Sequence, residues 1–464
     1  MLKYLSTLIK GMIEMSKFDI NQEIDHLYGS ILETYSIPQE KYNKFDVKRG
    51  LRNLDGSGVL AGLTKVSEVH GYIVSEDEKH PVDGTLAYRG YDINDLANNC
   101  GIGGRFRFEY VCFLLLEGRL PKDEEEFEKF RAFLSESSKL PESFAEDTIL
   151  KQPSHDIMNK LARSVLTLYS YDENPDSCDI KNILRQSVQL ISQLPTLGAY
   201  AYRAKRHYFD GSSLILHQPK KDLSIAENLL RMLRSNKKYD EFEAEVLDLA
   251  LMLHAEHGGG NNSTFTCRVL SSSGTDTYGA IAAAISSLKG PRHGGANAKV
   301  IKMFDHIKAN VADWTNETEV REFLTKIVRK EAFDNSGLIY GMGHAVYTLS
   351  DPRAVILKDK ARLLAEKTGN MEEFKLYEMV ERLGKEVLLA EKGSDKIVCA
   401  NVDFYSGFVY KMLNIPPEMF TPIFAMARVA GWCAHRIEEV ISGKKIIRPA
   451  YKSICRNGTN KIEN

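Results

Sequence analysis

The chain has 464 residues, room for two or three domains of ~150 residues each, and 43% of them are apolar, as a full globular core requires. Basic residues number 61 and acidic residues 63, for a net charge of −2, a balance that excludes a partner such as nucleic acid or an anionic membrane held by bulk charge. Seven cysteines, at 100, 112, 178, 267, 399, 433 and 455, are odd in number, irregular in spacing and form no Cys-x-x-Cys, which predicts reduced thiols in a cytoplasmic setting and excludes a disulfide frame or zinc ribbon.

From the start, Met1–Lys10 is apolar with two lysines and no acid. It lacks arginine and a small-residue cleavage site, so a dispensable extension over 1–14 fits at least as well as targeting. No apolar run approaches ~20 residues, and no membrane span is expected. Gly56–Asp92 is rich in glycine and β-formers and predicts short strands and turns. Beyond it, apolar positions recur at three- and four-residue spacing over Phe108–Glu117, Glu124–Ser135, Asp156–Ser170, Glu241–His254, Thr277–Leu288 and Glu372–Glu391, and these predict helices. The acidic run Asp123–Glu128 reads as a solvated helix face. There is no internal repeat.

Five clusters in the C-terminal half carry candidate chemistry. In Leu253-His-Ala-Glu-His-Gly-Gly-Gly260, His257 continues the apolar stripe Val246, Leu249, Ala250, Leu253 if the helix lasts that far, whereas His254 lies off it. Two histidines three apart can also ligate a metal, although the zincin pattern is absent. In Lys289-Gly-Pro-Arg-His-Gly-Gly295, Gly-Pro breaks a helix and leaves His293 in a turn before a new helix, where backbone N–H groups suit anions; on this ground alone a plain surface histidine is the commoner outcome. In Gly341-Met-Gly-His-Ala-Val, followed by Asp-Pro-Arg353, a loop presents His344 and, nine residues on, a guanidinium suited to carboxylates. Asp403 is the only charge in Ile397–Tyr410, so it reads as a desolvated base or as a helix cap. Finally, Thr421 and Pro422 read as the cap and first turn of a helix that carries Arg428 on the face of Phe424, Ala427 and Gly431. A buried arginine there needs an anion, and Arg448 is a further basic candidate.

Taken in order, these blocks resemble the citrate synthase family: His-Ala-Glu-His with Asn-x-Ser, Gly-Pro-Arg-His-Gly-Gly-Ala-Asn, Gly-Met-Gly-His-Ala-Val with Asp-Pro-Arg, Asn-Val-Asp-Phe-Tyr-Ser-Gly, and Phe-Ala-Met-Ala-Arg with Gly-Trp. The resemblance runs strongly over 245–450, and Leu86-Ala-Tyr-Arg-Gly-Tyr-Asp92 extends it upstream. It implies a mainly α-helical enzyme with a few short strands near the N-terminus. A large domain, 1–295 with 415–464, would carry dimerisation, and a small domain, 296–414, would bind CoA and close over the cleft. It implies condensation of acetyl-CoA with oxaloacetate and water to citrate and CoA, a step of the tricarboxylic acid cycle. Asp403 would be the base, His293 the activator of the thioester carbonyl and His344 the activator of the keto carbonyl. His257, Arg353, Arg428 and Arg448 would bind substrate. No metal and no permanent cofactor are implied; the CoA thioester is a substrate, and the partner is a second copy of the chain. Three positions depart from the family pattern: Thr348 replaces a basic residue that often contacts CoA, Ala450 replaces a second basic residue after Arg448-Pro, and Met342 replaces an aromatic or small residue. The nearest alternative is 2-methylcitrate synthase acting on propionyl-CoA. More distant ones are a zinc hydrolase built on His254 and His257 and an inactive CoA-binding regulator.

Overall fold

The computed structural model describes residues 28, 35–53, 56–75, 78–102, 104–393 and 398–454; segment 1–14 and Cys455 lie outside them. The chain divides into two compact units, residues 1–62 and 63–464. In the first, a short helix α1 (Gln39–Lys44) and a 3-10 turn (Arg49–Leu51) precede an isolated bridge between Arg52 and Gly58.

The second unit opens with the strands predicted over Gly56–Asp92. β1 (Ser67–Ser75), β2 (Glu78–Tyr88) and β3 (Tyr91–Asp92) form an antiparallel sheet in that order, with a register shift between His70 and Tyr72. Helices follow: α2 (Ile93–Asn99), α3 (Arg107–Glu117), α4 (Glu124–Ser137), α5 (Ile157–Leu168), α6 (Ile180–Tyr208), α7 (Ile225–Leu233), α8 (Glu241–His254), α9 (Asn262–Ser272), α10 (Thr277–Lys289), α11 (Ala296–Asn310), α12 (Glu317–Val328), α13 (Pro352–Thr368), α14 (Met371–Lys392), α15 (Val402–Met412) and α16 (Phe420–Ser442). Each helix expected from periodicity is present within a few residues of its expected ends. Most begin where a short polar side chain takes a free N–H of the first turn. Asp123, Asp156, Asp179, Asp276 and Asp351 do so alone, while Ser224 and Asp240 do so with a reciprocal glutamate three residues on. The Asp123–Glu128 run is accordingly a helix start whose acids are exposed except Glu126, which also grips Arg119, while Phe127 turns into the core.

Two expectations shift. Helix α16 begins at Phe420, and Thr421 does not cap it; its hydroxyl donates instead to the Gly294 carbonyl at 2.8 Å. Helix α8 stops at His254, so His257 lies past its end in irregular chain.

Packing follows two groupings. Helices α3 to α10 pack among themselves and around α16, which is buried along most of its length and touches α6, α9, α10 and α3. Helices α11 to α15 pack mainly on one another, α13 on α15, α12 on α14 and α11 on α15. The two groups meet where α8 touches α13 and α15, and where α11 touches α16. The candidate residues other than Arg448 lie along that seam.

Candidate active site

The end of α8 is held by the sheet. Tyr88 sends its hydroxyl to the carbonyls of Met252, Leu253 and Glu256, at 3.3, 3.3 and 3.0 Å. Three accepting carbonyls around one phenol hold the chain as it leaves the helix. His254 is fully buried, and its Nδ1 pairs with the Ala250 carbonyl at 2.7 Å; a carbonyl can only accept, so Nδ1 carries the proton. Burial, then the charge of Arg353, push its pKa down to about 3, and it is neutral. His257 is also buried. Its Nε2 meets the Tyr347 hydroxyl at 3.2 Å, and its ring stands edge-on to His344 with centroids 5.0 Å apart. Burial, Arg353 and His344 hold it well below the usual imidazole range.

The loop carrying His344 is stitched to the start of α15. Gly343 N–H donates to Cys399 O at 2.7 Å, Asn401 N–H to Gly341 O at 2.8 Å and Asn401 Nδ2 to Gly343 O at 2.9 Å. Gly341 takes φ +82°, and a Cβ there would come within 2.8 Å of the Phe404 ring, so only glycine permits this approach. The backbone N–H groups of Val346 and Tyr347 both donate to His344 Nδ1, each at 3.1 Å. A backbone N–H is an obligate donor, so Nδ1 is unprotonated and the neutral ring carries its proton on Nε2.

His293 sits in the turn between α10 and α11, as the Gly-Pro break predicts. Its Nε2 lies 3.4 Å from the Ser263 N–H and 3.0 Å from the Ser263 hydroxyl. The same reasoning makes Nε2 the acceptor and leaves the proton on Nδ1. Burial, reinforced by Arg428, brings its pKa down to about 4. The site therefore holds two imidazoles of opposite tautomer, His344 with its proton on Nε2 and His293 with its proton on Nδ1.

Asp351 caps α13 and grips Arg353 with both oxygens, Oδ1 to Nε at 3.0 Å and Oδ2 to Nη2 at 2.8 Å. Its Oδ2 also accepts from Val402 N–H at 3.2 Å, which joins α13 to α15. The pair is buried. Arg353 holds the Asp351 carboxyl below its ordinary value, and Asp351 lifts Arg353 above its own.

Asp403 stands in the first turn of α15, whose cap is Asn401 and not Asp403. Among the described residues its carboxylate has no hydrogen-bond partner. Enclosure raises its pKa to about 6 against the opposing pull of Arg353 and Arg428. Arg428 is 0% exposed; its Nε donates to His254 O at 2.7 Å, while Nη1 and Nη2 have no partner among the described residues. Arg436, two turns further along α16 and equally buried, spends its nitrogens on Thr277, Ser271 and the Thr275 carbonyl. The contrast marks Arg428 as the arginine left ready for an outside anion. Its charge bears on His257, His293 and Asp403 alike, so these groups converge on it.

Arg448 is not brought to this cluster within one chain. It is exposed, and its neighbour Ile447 is anchored by N–H to Ser272 Oγ at the far end of α9, about 14 Å from Ser263 at 1.5 Å per residue. Sequence reasoning passed over Tyr347, Ser263, Asn401 and the gripping role of Asp351. Ser263 and Asn401 stand in the quoted blocks, and the Asp-Pro that caps a helix two residues before its arginine was the local sign of the last; Tyr347 had none. For the zinc reading, no group of three or more His, Cys, Asp or Glu is placed to hold a metal ion among the described residues.

A family profile described as "Citrate synthase, C-terminal domain" matches residues 53–450. The chain is 36% identical to a citrate synthase of Synechocystis, over 85% of this chain and 88% of that one. It is 34% identical to a citrate/2-methylcitrate synthase of Bacillus subtilis, over 84% and 93%. The solved citrate synthase of Pyrobaculum aerophilum superposes with a TM-score of 0.70 at 30% identity, covering 88% of this chain and 93% of its own. These likenesses show that the chain belongs to the citrate synthase family.

Proposed function

We propose that the chain condenses acetyl-CoA with oxaloacetate and water, releasing citrate and CoA. Family membership makes it an acyltransferase. The observation that carries the substrate assignment is the pairing of an unbonded carboxylate, Asp403, with a buried arginine whose two outer nitrogens lack partners.

Oxaloacetate binds first, its carboxylates on the Nη groups of Arg428 and on Arg353, whose Nη1 is left over from the grip of Asp351. His344 donates Nε2–H to the keto oxygen, and His257 packs beside it. Acetyl-CoA then places its thioester oxygen at Nδ1–H of His293. Asp403 takes a methyl proton, and the enol forms under that hydrogen bond. The enol carbon attacks the keto carbon, whose oxygen gains a proton from the His344 side. Water then adds to the thioester carbonyl and the C–S bond breaks, giving citrate and free CoA thiol.

Premature thioester hydrolysis is avoided if water enters only after condensation. The separate packing of α11 to α15 supports residues 296–414 as a small domain that closes on a large domain of 1–295 with 415–464. Arg448, out of reach of its own cluster, can contribute only to a neighbouring copy, which favours a homodimer. No helix among the described residues is long and apolar enough to cross a membrane, and the cytoplasm is the proposed compartment.

Thiol release from acetyl-CoA that requires oxaloacetate is the expected result with purified protein. Release that is indifferent to oxaloacetate would overturn the assignment. The Bacillus relative's double name favours a second reading, propionyl-CoA as acyl donor. One methylene is worth only ~1–3 kcal/mol of discrimination, so kcat/KM for the two thioesters in the same assay decides it.

A further inference from the structure

The unpaired state of Arg428 needs an explanation, since an isolated guanidinium at 0% exposure is costly and a direct ion pair would consume its donors. The structure holds a carboxylate close by without letting it bond. Glu256, between the two histidines of the first cluster, is itself 0% exposed. Its Oε1 accepts from the Ser67 hydroxyl at 2.9 Å, from His435 Nε2 at 2.9 Å and from the Gly258 N–H at 2.5 Å. His435 is turned for this by Arg268, whose Nη1 lies 2.8 Å from Nδ1 and can only donate.

The other oxygen, Oε2, is buried and has no partner among the described residues. It lies 2.1 Å from where a Cβ on Gly431 would stand. Gly431 is three residues after Arg428 on the same helix face, so their Cβ positions are about 5–6 Å apart. Any larger residue at 431 would expel the carboxylate.

We propose that Glu256 is a positioning residue for substrate binding: a counter-charge, tethered through Oε1 by Ser67, His435 and Gly258, that offsets the cost of burying the Arg428 guanidinium while leaving its Nη donors free for an oxaloacetate carboxylate. Burial lowers Arg428 to about 10 while Glu256 pulls it back up, and Glu256 is held at about 2 against its own burial by His435 and then Arg428. The inference rests on the citrate synthase reading of the site.

Its test is calorimetric binding of oxaloacetate to the folded enzyme without any thioester, followed by steady-state kinetics. Glu256→Gln preserves shape and removes the charge; oxaloacetate Kd and KM should rise about tenfold or more, with a smaller fall in kcat. Glu256→Asp, which restores the charge, should recover most of that loss. Ser67→Ala, which frees one tether, should weaken binding in the same direction by a smaller factor, and it serves if Glu256→Gln does not fold. Overturning results are a Kd within about twofold of wild type in the Gln and Ala variants, or an Asp variant no better than Gln. Failure of the wild-type enzyme to release thiol with oxaloacetate would instead count against the reaction assigned above.

Discussion

Asp403 shows what a single residue gives up for function. Its carboxyl sits above the value it has in an unfolded chain, pushed up to about 6 by enclosure. The folded state therefore gains from its proton at low pH and loses that gain as pH rises through about 6, so at neutral pH the ionised base costs stability. Asp403→Asn should lower thiol release by ~10²–10⁴-fold, the usual worth of a general base, while raising the melting temperature at pH 7. Circular dichroism melts beside the activity assay read both, and a variant that loses activity and stability together would point to a structural role. In the wild type, kcat/KM should fall as pH drops through about 6, because the protonated carboxyl cannot accept the methyl proton.

At the scale of elements, the chemistry depends on how closely the β1–β2 hairpin approaches the His344 loop. Gly84 N–H donates to Ser350 Oγ at 3.2 Å, the Ser350 hydroxyl donates to Asp83 Oδ1 at 2.8 Å, and a Cβ on Gly84 would fall 2.2 Å from the Ser350 carbonyl oxygen. On Gly71 it would fall 2.6 Å from the Val346 carbonyl oxygen. Both obstacles are backbone and cannot swing aside. Gly84→Ala should cost ~1–3 kcal/mol of stability as overpacking does, and it should raise oxaloacetate KM by shifting the loop whose N–H groups set the His344 tautomer. Thermal denaturation with steady-state kinetics checks it; unchanged KM in a destabilised variant would mean the hairpin merely packs.

At the scale of the molecule, the site gathers groups whose charge states are set by burial. His293, at about 4, and His254, at about 3, are depressed from 6.5, and His257 is depressed too. An unfolded chain would protonate all three below pH 6.5, so the stability they carry is present above that pH and drains away as pH falls toward 4 and then 3. Glu256, lowered to about 2, loses its contribution as pH falls from 4.5. Asp403 acts in the opposite sense and offsets part of this. The melting temperature should therefore drop by several degrees between pH 7 and pH 5. Oxaloacetate, by binding the folded state alone, should raise it at both.

The sequence by itself determined the helices, the strand region and the list of chemical groups. Helix-period stripes and Asp or Ser starts are local, and His293, His344 and Asp403 stand in short ordered blocks that can be read without a partner in space. It could not separate a satisfied histidine from a working one. That difference lies in which nitrogen faces a backbone N–H from residues 30 positions away, as Ser263 faces His293. Only the family resemblance singled out Arg428 over Arg436 in the sequence; the physical difference, two bare nitrogens for the first and three partners for the second among the described residues, is set by packing. Arg448 reads in the sequence as another member of the set, yet the tether of Ile447 to the far end of α9 keeps it from the cluster of its own chain. Periodicity and motif order are properties of neighbouring residues; tautomer, ionisation and vacancy at a guanidinium are properties of what the tertiary structure places beside them.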